Sequence, residues 1–338
     1  MEYYDKLFRE FLNETGSVNI AGTDFLRDVI LKTLDESLYD EAYLEWLNQR
    51  KNELIDKADD VLSQFEQFDR FNKIKLIHAK GVLIPFIGAG LSIPSSYPGW
   101  TDFLFKLLKE TDIEENKFNN IINTGNYEEA AQLLFDNLPS GSFLEQVENI
   151  FGTEREISGV IQRLPEIFQR SVITTNFDNL IDRCYSDSSF SFNEIILGKD
   201  ALALPRYLAD GKSILLKLHG LANNSNRRVL TKNEYDQHYK NSKELVNVIE
   251  ALSQNSLLFL GCSLTVDRTI KCLNELVKRK GHENMPRHYA FLKLDDPDIR
   301  IARQRELALA NIYPIWYTED HNECIEALLE KLSDGVSS

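Results

Sequence analysis

The sequence is poor in cysteine, and its few cysteines lie far apart. Only four occur in 338 residues: Cys184, Cys262, Cys272 and Cys324. No two of them have the Cys-x-x-Cys spacing that a structural zinc site requires. We therefore expect no zinc ribbon and no bound metal, and thiols that stay reduced in the cytoplasm.

Long apolar runs and an excess of basic residues are also missing. No stretch approaches the ~18 consecutive apolar residues of a membrane span, and the acidic N-terminus lacks the features of a signal peptide. Lys and Arg number 38 against 53 Asp and Glu, a net charge of -15. This excess of acidic residues does not favour binding to the phosphate backbone of nucleic acids, although it leaves room for a local basic pocket. We expect a cytoplasmic protein that binds neither membranes nor nucleic acid directly.

The length predicts two parts, because single cores stop growing at roughly 250–300 residues. Apolar residues recur at helical spacing from residue 2 to about residue 80, which predicts an N-terminal helical module over residues 1–80. This module either caps the second part or forms an oligomerisation or partner-docking surface. The aromatic run Phe65, Phe68 and Phe71 is a candidate contact surface.

Short apolar runs alternate with helical stretches after residue 80. They predict strands at residues 82–87, 171–174, 213–218, 256–260, 288–292 and 312–316. Such alternation predicts an α/β fold over residues 81–333: a Rossmann-like, mainly parallel sheet with helices on both faces. Residues 101–169 predict a helical insertion, and residues 334–338 form a polar tail. Ligands of such sheets bind at the carboxyl ends of the strands.

A glycine-rich turn directly follows the first of these strands. Gly88, Ala89, Gly90 and Ser92 stand in the segment GAGLS. Glycines let the backbone turn tightly and approach a pyrophosphate, whose charge then lies at the N-terminus of the next helix. The segment lacks the complete G-x-G-x-x-G spacing, so a plain strand-to-helix turn is the alternative.

Short polar side chains follow the strand at 171–174. Thr174, Thr175, Asn176 and Asp178 can hydrogen-bond ribose hydroxyls or backbone from the carboxyl end of a strand. The alternative is that Asn176 and Asp178 only cap the helix beginning near Asn179.

A histidine and a third small-residue turn follow the next strands. His219 precedes Gly220, and an unperturbed imidazole, titrating near ~6.5, suits general-base work at neutral pH. A purely structural histidine is the alternative. A turn of small residues similar to the first one is formed by Gly261, Cys262 and Ser263. It precedes a predicted helix whose N-terminus can hold phosphate or adenosine.

Taken in order, the four motifs resemble those of the sirtuin family over residues 81–317. The resemblance implies an NAD-phosphate loop, a cofactor-pocket motif, a catalytic histidine and an adenosine-side loop. These correspond to Gly88, Ala89, Gly90 and Ser92, to Asn176 and Asp178, to His219, and to Gly261 and Ser263. The segments SYPGWTDFL, LTKNEYDQHY and IYPIWYT are similar to the sirtuin-like NAD hydrolases of bacterial phage-defence systems.

The departures from protein-deacylating sirtuins bear on the reaction. Those proteins carry a four-cysteine zinc module and an acidic-aromatic-Arg triplet after the glycine loop. This chain has no such module, and it reads Trp100-Thr101-Asp102-Phe103 without an arginine. Both differences favour water as the acceptor.

The resemblance implies an NAD hydrolase that needs no metal and an NAD-depleting role in antiphage defence. It would cleave the nicotinamide–ribose bond of NAD to give nicotinamide and ADP-ribose. Asn176 would position the ribose hydroxyls or the water, His219 would act as base, and Asp178 would orient neighbours. The alternatives are an NAD-dependent protein deacylase or ADP-ribosyltransferase, a non-catalytic NAD- or ADP-ribose-binding module, and a structural scaffold.

An unrestrained NAD hydrolase would exhaust its own cell, so we expect control by assembly or by a partner. A homo-oligomer is the usual form of assembly. The resemblance implies two candidate partners, a hexameric DNA-translocating ATPase and an Argonaute-like protein.

Overall fold

The computed structural model describes residues 2–139, 141–224, 227–239, 243–264 and 268–335; residues 336–338 of the predicted polar tail lie outside them. Residues 2–79 form helices and one antiparallel hairpin. In chain order these are α1 (Glu2–Asn13), β1 (Val18–Ile20), β2 (Thr23–Phe25), α2 (Arg27–Leu34), α3 (Glu36–Gln64) and α4 (Phe68–Ala79). No helix within the described residues is both long enough and apolar enough to cross a membrane.

Seven parallel strands and the helices between them follow. The strands are β3 (Leu83–Ile87), β4 (Val172–Thr174), β5 (Glu194–Leu197), β6 (Ile214–Lys217), β7 (Ser256–Leu260), β8 (His288–Lys293) and β9 (Ile312–Tyr317). The helices are α5 (Trp100–Leu108), α6 (Glu115–Asn123), α7 (Tyr127–Asn137), α8 (Ser142–Phe151), α9 (Leu164–Ile167), α10 (Leu180–Ser186), α11 (Leu204–Ala209), α12 (Lys232–His238), α13 (Lys243–Leu252), α14 (Arg268–Lys280), α15 (Arg300–Ala308) and α16 (His321–Ser333). The strand order is β5-β6-β4-β3-β7-β8-β9.

Both faces of the sheet are buried, as alternate residues of the central strand show. Leu83 and Ile87 of β3 enter one hydrophobic core, whereas Ile84 and Phe86 enter a second core. Strands buried on both faces read as continuous apolar runs, which is why the central strands were recognisable in the sequence. The predicted fold class, an α/β protein with a Rossmann-like sheet, helices on both faces and added helical segments, is confirmed.

The N-terminal helices share a core and a buried polar cluster with the α/β part. The hydroxyl of Tyr4 donates to Glu330 at 2.8 Å, and the guanidinium of Arg163 lies 2.7 Å from the same carboxylate. Arg50 of α3 pairs with Glu326 of α16 at 2.8 Å. Charges withdrawn from water need such partners, so the cluster ties α1 and α3 to α16. The boundary near residue 80 stays a prediction.

The loop between α3 and α4 covers the free edge of the sheet at β9. The side-chain amide of Gln67 donates to the carbonyl of Trp316 at 2.9 Å and accepts from the Trp316 N–H at 2.6 Å. Arg70 donates to the carbonyl of Pro314. An uncovered edge strand invites pairing with other chains, and here side chains take the place of another strand.

Two short segments differ from the sequence-based prediction. Residues 18–25 form a hairpin where helical spacing had been read, because Ala21 and Gly22 turn the chain with φ values of +51° and +87°. Two successive positive φ values are typical of a tight hairpin turn. The short edge strand β5 was not predicted, and its Ile195 is exposed.

The predicted aromatic contact surface of Phe65, Phe68 and Phe71 is wrong. Phe71 is buried and stacks on Phe291, with ring centroids 6.2 Å apart. The guanidinium of Arg300 lies 4.9 Å from the ring centroid of Phe65, and only Phe68 is exposed. Phe65 follows the end of α3, whereas Phe68 and Phe71 belong to α4. The three rings therefore do not form one exposed surface.

Replacing Gln67 by alanine should destabilise the protein. The substitution removes two hydrogen bonds to Trp316 and leaves a buried N–H and a buried carbonyl without them, which costs about 1–3 kcal/mol. Urea unfolding of Gln67→Ala measures the loss. Gln64→Ala, three residues earlier and exposed, is the matched control. Equal midpoints for the two variants would contradict the role of the edge cap.

Candidate functional site

Two loops contact each other main chain to main chain at the carboxyl end of the sheet. Gly88 N–H donates to the carbonyl of Leu260, and Gly90 N–H donates to the carbonyl of Gly261, both at 2.9 Å. A Cβ at Gly88 would lie 2.5 Å from the Gly261 oxygen, and a Cβ at Gly90 would lie 2.8 Å from it. The glycines are therefore required by the packing of the 88–90 loop on the 261–263 loop.

The 88–90 loop does not lead straight into an α-helix, as the sequence had suggested. Two short 3-10 turns follow it, and α5 begins only at Trp100. Pro94 and Pro98 lack the N–H that a helix interior needs, and Ser96 has a left-handed φ of +66°. The expectation that this turn leads directly into an α-helix is therefore wrong, whereas the phosphate-binding role of the loop stays a prediction.

A buried polar cluster holds the 88–90 loop from behind. The amide nitrogen of Asn176 donates to the carbonyl of Gly88 at 3.1 Å and to Oγ of Ser92 at 3.0 Å. Ser92 in turn donates to Oδ2 of Asp178 at 2.9 Å. Thr174 donates to the carbonyl of Ile87 at 2.9 Å. These side chains of the segment after β4 therefore fix the position of the loop after β3.

Asp178 and Lys217 place opposite charges in the interior beside this cluster. Burial raises the pKa of Asp178, while Lys217 opposes that shift. The ammonium of Lys217, which is wholly buried, donates to the backbone carbonyl of Asp178 and pairs with Asp182 at 2.9 Å. Asp178 also accepts the N–H of Leu180 at 3.1 Å, so it partly caps α10 as the alternative interpretation held.

His219 follows β6 and has an environment that keeps it neutral. Withdrawal from water lowers the pKa of His219 to about 4, and a backbone hydrogen bond with Thr175 opposes that shift. This pKa is lower than the ordinary histidine pKa near ~6.5 on which the sequence-based prediction rests. Because the unfolded state binds this proton more readily, His219 reduces the folding stability as pH falls from about 6.5 towards 4. At neutral pH the imidazole is therefore uncharged, and one of its ring nitrogens is an acceptor.

These segments meet at one cavity of about 400 Å³. Its lining comes from the loops after β3, β4, β6 and β7 and from α5, α7, α12 and α14. In the strand order, β4, β5 and β6 lie on one side of β3, whereas β7, β8 and β9 lie on its other side. Ligands of doubly wound sheets bind at such a reversal, and the volume is that of a small-molecule site.

The predicted site residues divide into two groups. Seven of them line the cavity: Gly88, Ala89, Gly90, Thr175, His219, Gly261 and Ser263. Ser92, Asn176 and Asp178 lie behind the 88–90 loop and are buried. The Oδ1 atom of Asn176 has no hydrogen-bond partner within the part of the chain that the structure describes. The start of the helix predicted after Ser263 falls on residues 265–267, outside the described residues.

Several residues of the cavity wall were not predicted from the sequence. Arg268 of α14 forms an ion pair with Glu128 of α7 and another, at 3.1 Å, with Asp236 of α12. Its guanidinium lies 4.6 Å from the ring centroid of Tyr235. These residues come from three separate helices, and no local spacing signals that they meet. Lys217 did carry a signal, because it is a charge within an apolar strand.

No group of three or more His, Cys, Asp or Glu side chains within the described ranges is arranged to hold a metal ion. Cys184, Cys272 and Cys324 are buried and Cys262 is partly exposed, and none of these four forms a disulfide within the described residues.

Comparison with known proteins gives a consistent result. Residues 170–315 match the family described as SIR2-like domain. NAD(+) hydrolase ThsA of Acinetobacter baumannii is 22% identical over 215 residues, which are 62% of this chain and 42% of that protein. NAD(+) hydrolase ThsA of Enterococcus faecium is 25% identical over 217 residues (63% and 44%), and Defense-associated sirtuin 2 of Bacillus subtilis is 26% identical over 224 residues (64% and 21%). The chain spans less than half the length of each of these curated relatives.

The matched segment contains the residues after β4, His219 and the 261–263 loop. A parallel sheet with a cavity at its reversal point is the doubly wound class of α/β fold, in which ligands bind at that point. Residues 170–315 are similar to a SIR2-like domain, and the resemblance to the sirtuin family is confirmed.

Replacing Gly88 by alanine should disrupt the contact between the two loops. The new Cβ would lie 2.5 Å from the Gly261 oxygen and 2.7 Å from Sγ of Cys262, so the 261–263 loop must move. Overpacking of this kind costs about 1–3 kcal/mol. Thermal unfolding and crystallography of the variant measure both effects. The control is Gly99→Ala, where the nearest atom would be 3.7 Å away, and equal stability losses for the two would contradict the prediction.

Proposed function

We propose that the protein hydrolyses NAD at the nicotinamide–ribose bond, releasing nicotinamide and ADP-ribose. The observation that carries the proposal is a neutral His219 in the same 400 Å³ cavity as two glycine loops, with His219 and the 261–263 loop inside the segment that matches the SIR2-like domain. Two relatives that match the chain are named NAD(+) hydrolases, which supports this reaction over other uses of NAD.

The chemistry needs few protein groups. When the C1′–N bond breaks, its electron pair leaves with nicotinamide and an oxocarbenium-like centre develops at C1′. Water then bonds to C1′ and loses a proton, and His219, which is neutral at physiological pH, is the base that takes it up. Asn176, Ser92 and Asp178 hold the 88–90 loop in place behind the cavity. No step in this scheme requires a metal.

Transfer to a protein acceptor is the main competing reaction. Deacylation and ADP-ribosylation would use the same cavity with a different nucleophile. The absence of the arginine triplet and of the four-cysteine module from the sequence favours water. A hydrolase turns over in NAD alone, whereas a transferase needs its acceptor, and a binding module retains NAD without releasing nicotinamide.

The role that fits this reaction is NAD depletion during antiphage defence in the cytoplasm. One matching relative is named a defence-associated sirtuin, which supports this role. Control by a hexameric DNA-translocating ATPase or an Argonaute-like protein stays a proposal, and co-purification with the product of a neighbouring gene tests it.

Replacing His219 by alanine should abolish nicotinamide release. Loss of a general base typically costs 10²–10⁴-fold in rate. HPLC of NAD incubated with purified protein measures turnover, and circular dichroism checks the fold. His282→Ala, which removes an exposed histidine remote from the cavity, should keep wild-type activity. Retention of more than about a tenth of wild-type turnover by His219→Ala, a loss under ~1.4 kcal/mol, would remove His219 from the mechanism.

We further propose that the protein self-assembles through its N-terminal segment. The helix α2 buries none of its residues: Val29 and Leu34 on it are 49% and 79% exposed, and Leu26 directly before it is 52% exposed. Ile20 and Phe25 of the adjoining hairpin are exposed as well. Apolar side chains grouped in this way are typical of an interface, and a second copy is the usual occupant.

Charged substitutions on α2 should lower the oligomeric state. Val29→Glu with Leu34→Glu places two carboxylates on the exposed apolar face, whereas Glu36→Ala with Glu41→Ala alters exposed positions at the start of the next helix as a control. Multi-angle light scattering at tens of micromolar measures the mass. A monomeric wild-type protein, or a double variant of unchanged oligomeric mass, would contradict the assembly proposal.

A further inference from the structure

Tyr235 of α12 places its hydroxyl against the Nε2 atom of His219. The two rings are nearly perpendicular, with an interplanar angle of 84° and centroids 5.4 Å apart. A hydrogen bond with the backbone of Thr175 raises the pKa of His219, so a ring N–H donates it, and because Nε2 contacts Tyr235 we assign that N–H to Nδ1. The neutral tautomer that satisfies both contacts has its proton on Nδ1 and offers the Nε2 lone pair to the Tyr235 O–H.

The ring of Tyr235 is held firmly in this position. It is 8% exposed, and the guanidinium of Arg268 covers one face at 4.6 Å from the ring centroid. The carboxylates of Glu128 and Asp236 hold Arg268 from two other helices.

The start of α12 is fixed as well. Thr231 accepts the N–H of Glu234 at 3.3 Å, and Glu234 accepts the N–H of Thr231 at 2.8 Å, which completes a capping box. The hydroxyl is therefore a fixed part of the site and not a mobile cover over His219.

A fixed hydroxyl on Nε2 restricts how His219 can act as a base. Direct proton transfer from water to Nε2 requires the Tyr235 O–H to leave, which its surroundings oppose. Transfer through the hydroxyl requires no movement, because a phenol oxygen accepts one proton while its own proton passes to the next acceptor. Tyr235 and His219 both line the cavity, so the phenol oxygen is within reach of a bound acceptor.

We propose that Tyr235 relays the proton of the attacking water to His219 and fixes the tautomer of His219 that receives it; this rests on the proposed NAD hydrolysis. As the water oxygen bonds to C1′ and the C1′–N electron pair leaves with nicotinamide, the water proton moves to the Tyr235 oxygen. The Tyr235 proton moves to Nε2, giving an imidazolium. Loss of the Nε2 proton to solvent and rotation of the phenol O–H back towards Nε2 restore the resting pair.

The relay predicts a specific pH response. Donation from Tyr235 stabilises the neutral imidazole, so removing the hydroxyl should move the pKa of His219 upward from about 4 towards its ordinary value. The charged groups that line the same cavity are Asp102, Glu128, Arg268 and Lys271, and the other titratable ones include Tyr239 and Cys262. All of these stay in place in a Tyr235→Phe protein, so the difference between the two pH profiles reports the missing hydroxyl.

The kinetic test compares Tyr235→Phe with Tyr185→Phe. Tyr185 is a matched control, because its buried hydroxyl donates to the carbonyl of Phe168 at 2.8 Å away from the cavity. We expect Tyr235→Phe to lower kcat for nicotinamide release at least about tenfold with little change in KM, and to shift the acidic limb of kcat to higher pH. Tyr185→Phe should match the wild type. Unchanged or increased kcat in Tyr235→Phe overturns the relay.

A second measurement does not depend on turnover. NMR of protein with labelled histidine, with the His219 signal identified by its loss in His219→Asn, reports the tautomer and pKa directly. We expect a neutral Nδ1–H ring in the wild type down to about pH 5 and a raised pKa in Tyr235→Phe. A wild-type protein that releases no nicotinamide overturns the proposed function. A His219 pKa that is the same in both proteins overturns the Tyr235 inference.

Discussion

The main chain of the 88–90 loop lies against the main chain of the 261–263 loop, and no side chain fits between them. Strands β3 and β7 are paired along five residues, ending at Ile87 and Leu260, so the loops that leave them start side by side. Loops that start side by side either diverge or pack against each other. Here they pack with 2.9 Å between amide nitrogen and carbonyl oxygen, which only residues without a Cβ allow. One side of the cavity is consequently built of backbone, which a dinucleotide can approach closely.

Polar side chains at the strand ends stabilise that arrangement before they serve any ligand. The amide of Asn176 is engaged by Gly88 and Ser92, and both carboxylate oxygens of Asp178 accept hydrogen bonds. A buried polar group without a partner costs about 1–3 kcal/mol, so the free Oδ1 of Asn176 is the atom of this cluster left for a function. Asp178 therefore both caps the start of α10 and holds the 88–90 loop beside the cavity through Ser92. The sequence presents capping and a site role as alternatives.

The sequence predicted the sheet well because its strands are buried on both faces and read as apolar runs without polar alternation. It also placed candidate site residues after strands whose ends meet at one cavity, because parallel strands end at the same edge of the sheet. It missed β5, where the exposed Ile195 shows a half-buried edge, and the hairpin at residues 18–25, where short-range turn geometry overrides helical spacing. The partners Tyr235 and Arg268 depend on contacts between distant segments, for which a single sequence carries no signal.

The cavity wall joins parts of the chain that are remote in sequence. Arg268 follows β7, Asp236 and Tyr235 follow β6, and Glu128 belongs to the helical segment between β3 and β4. A partly buried guanidinium that loses its carboxylates is unfavourable, so moving α7 away from α14 leaves Arg268 poorly paired. Because the same guanidinium covers the Tyr235 ring, the position of α7 bears on the hydroxyl that contacts His219. The helical insertion is thus connected to His219 through two side chains, Arg268 and Tyr235.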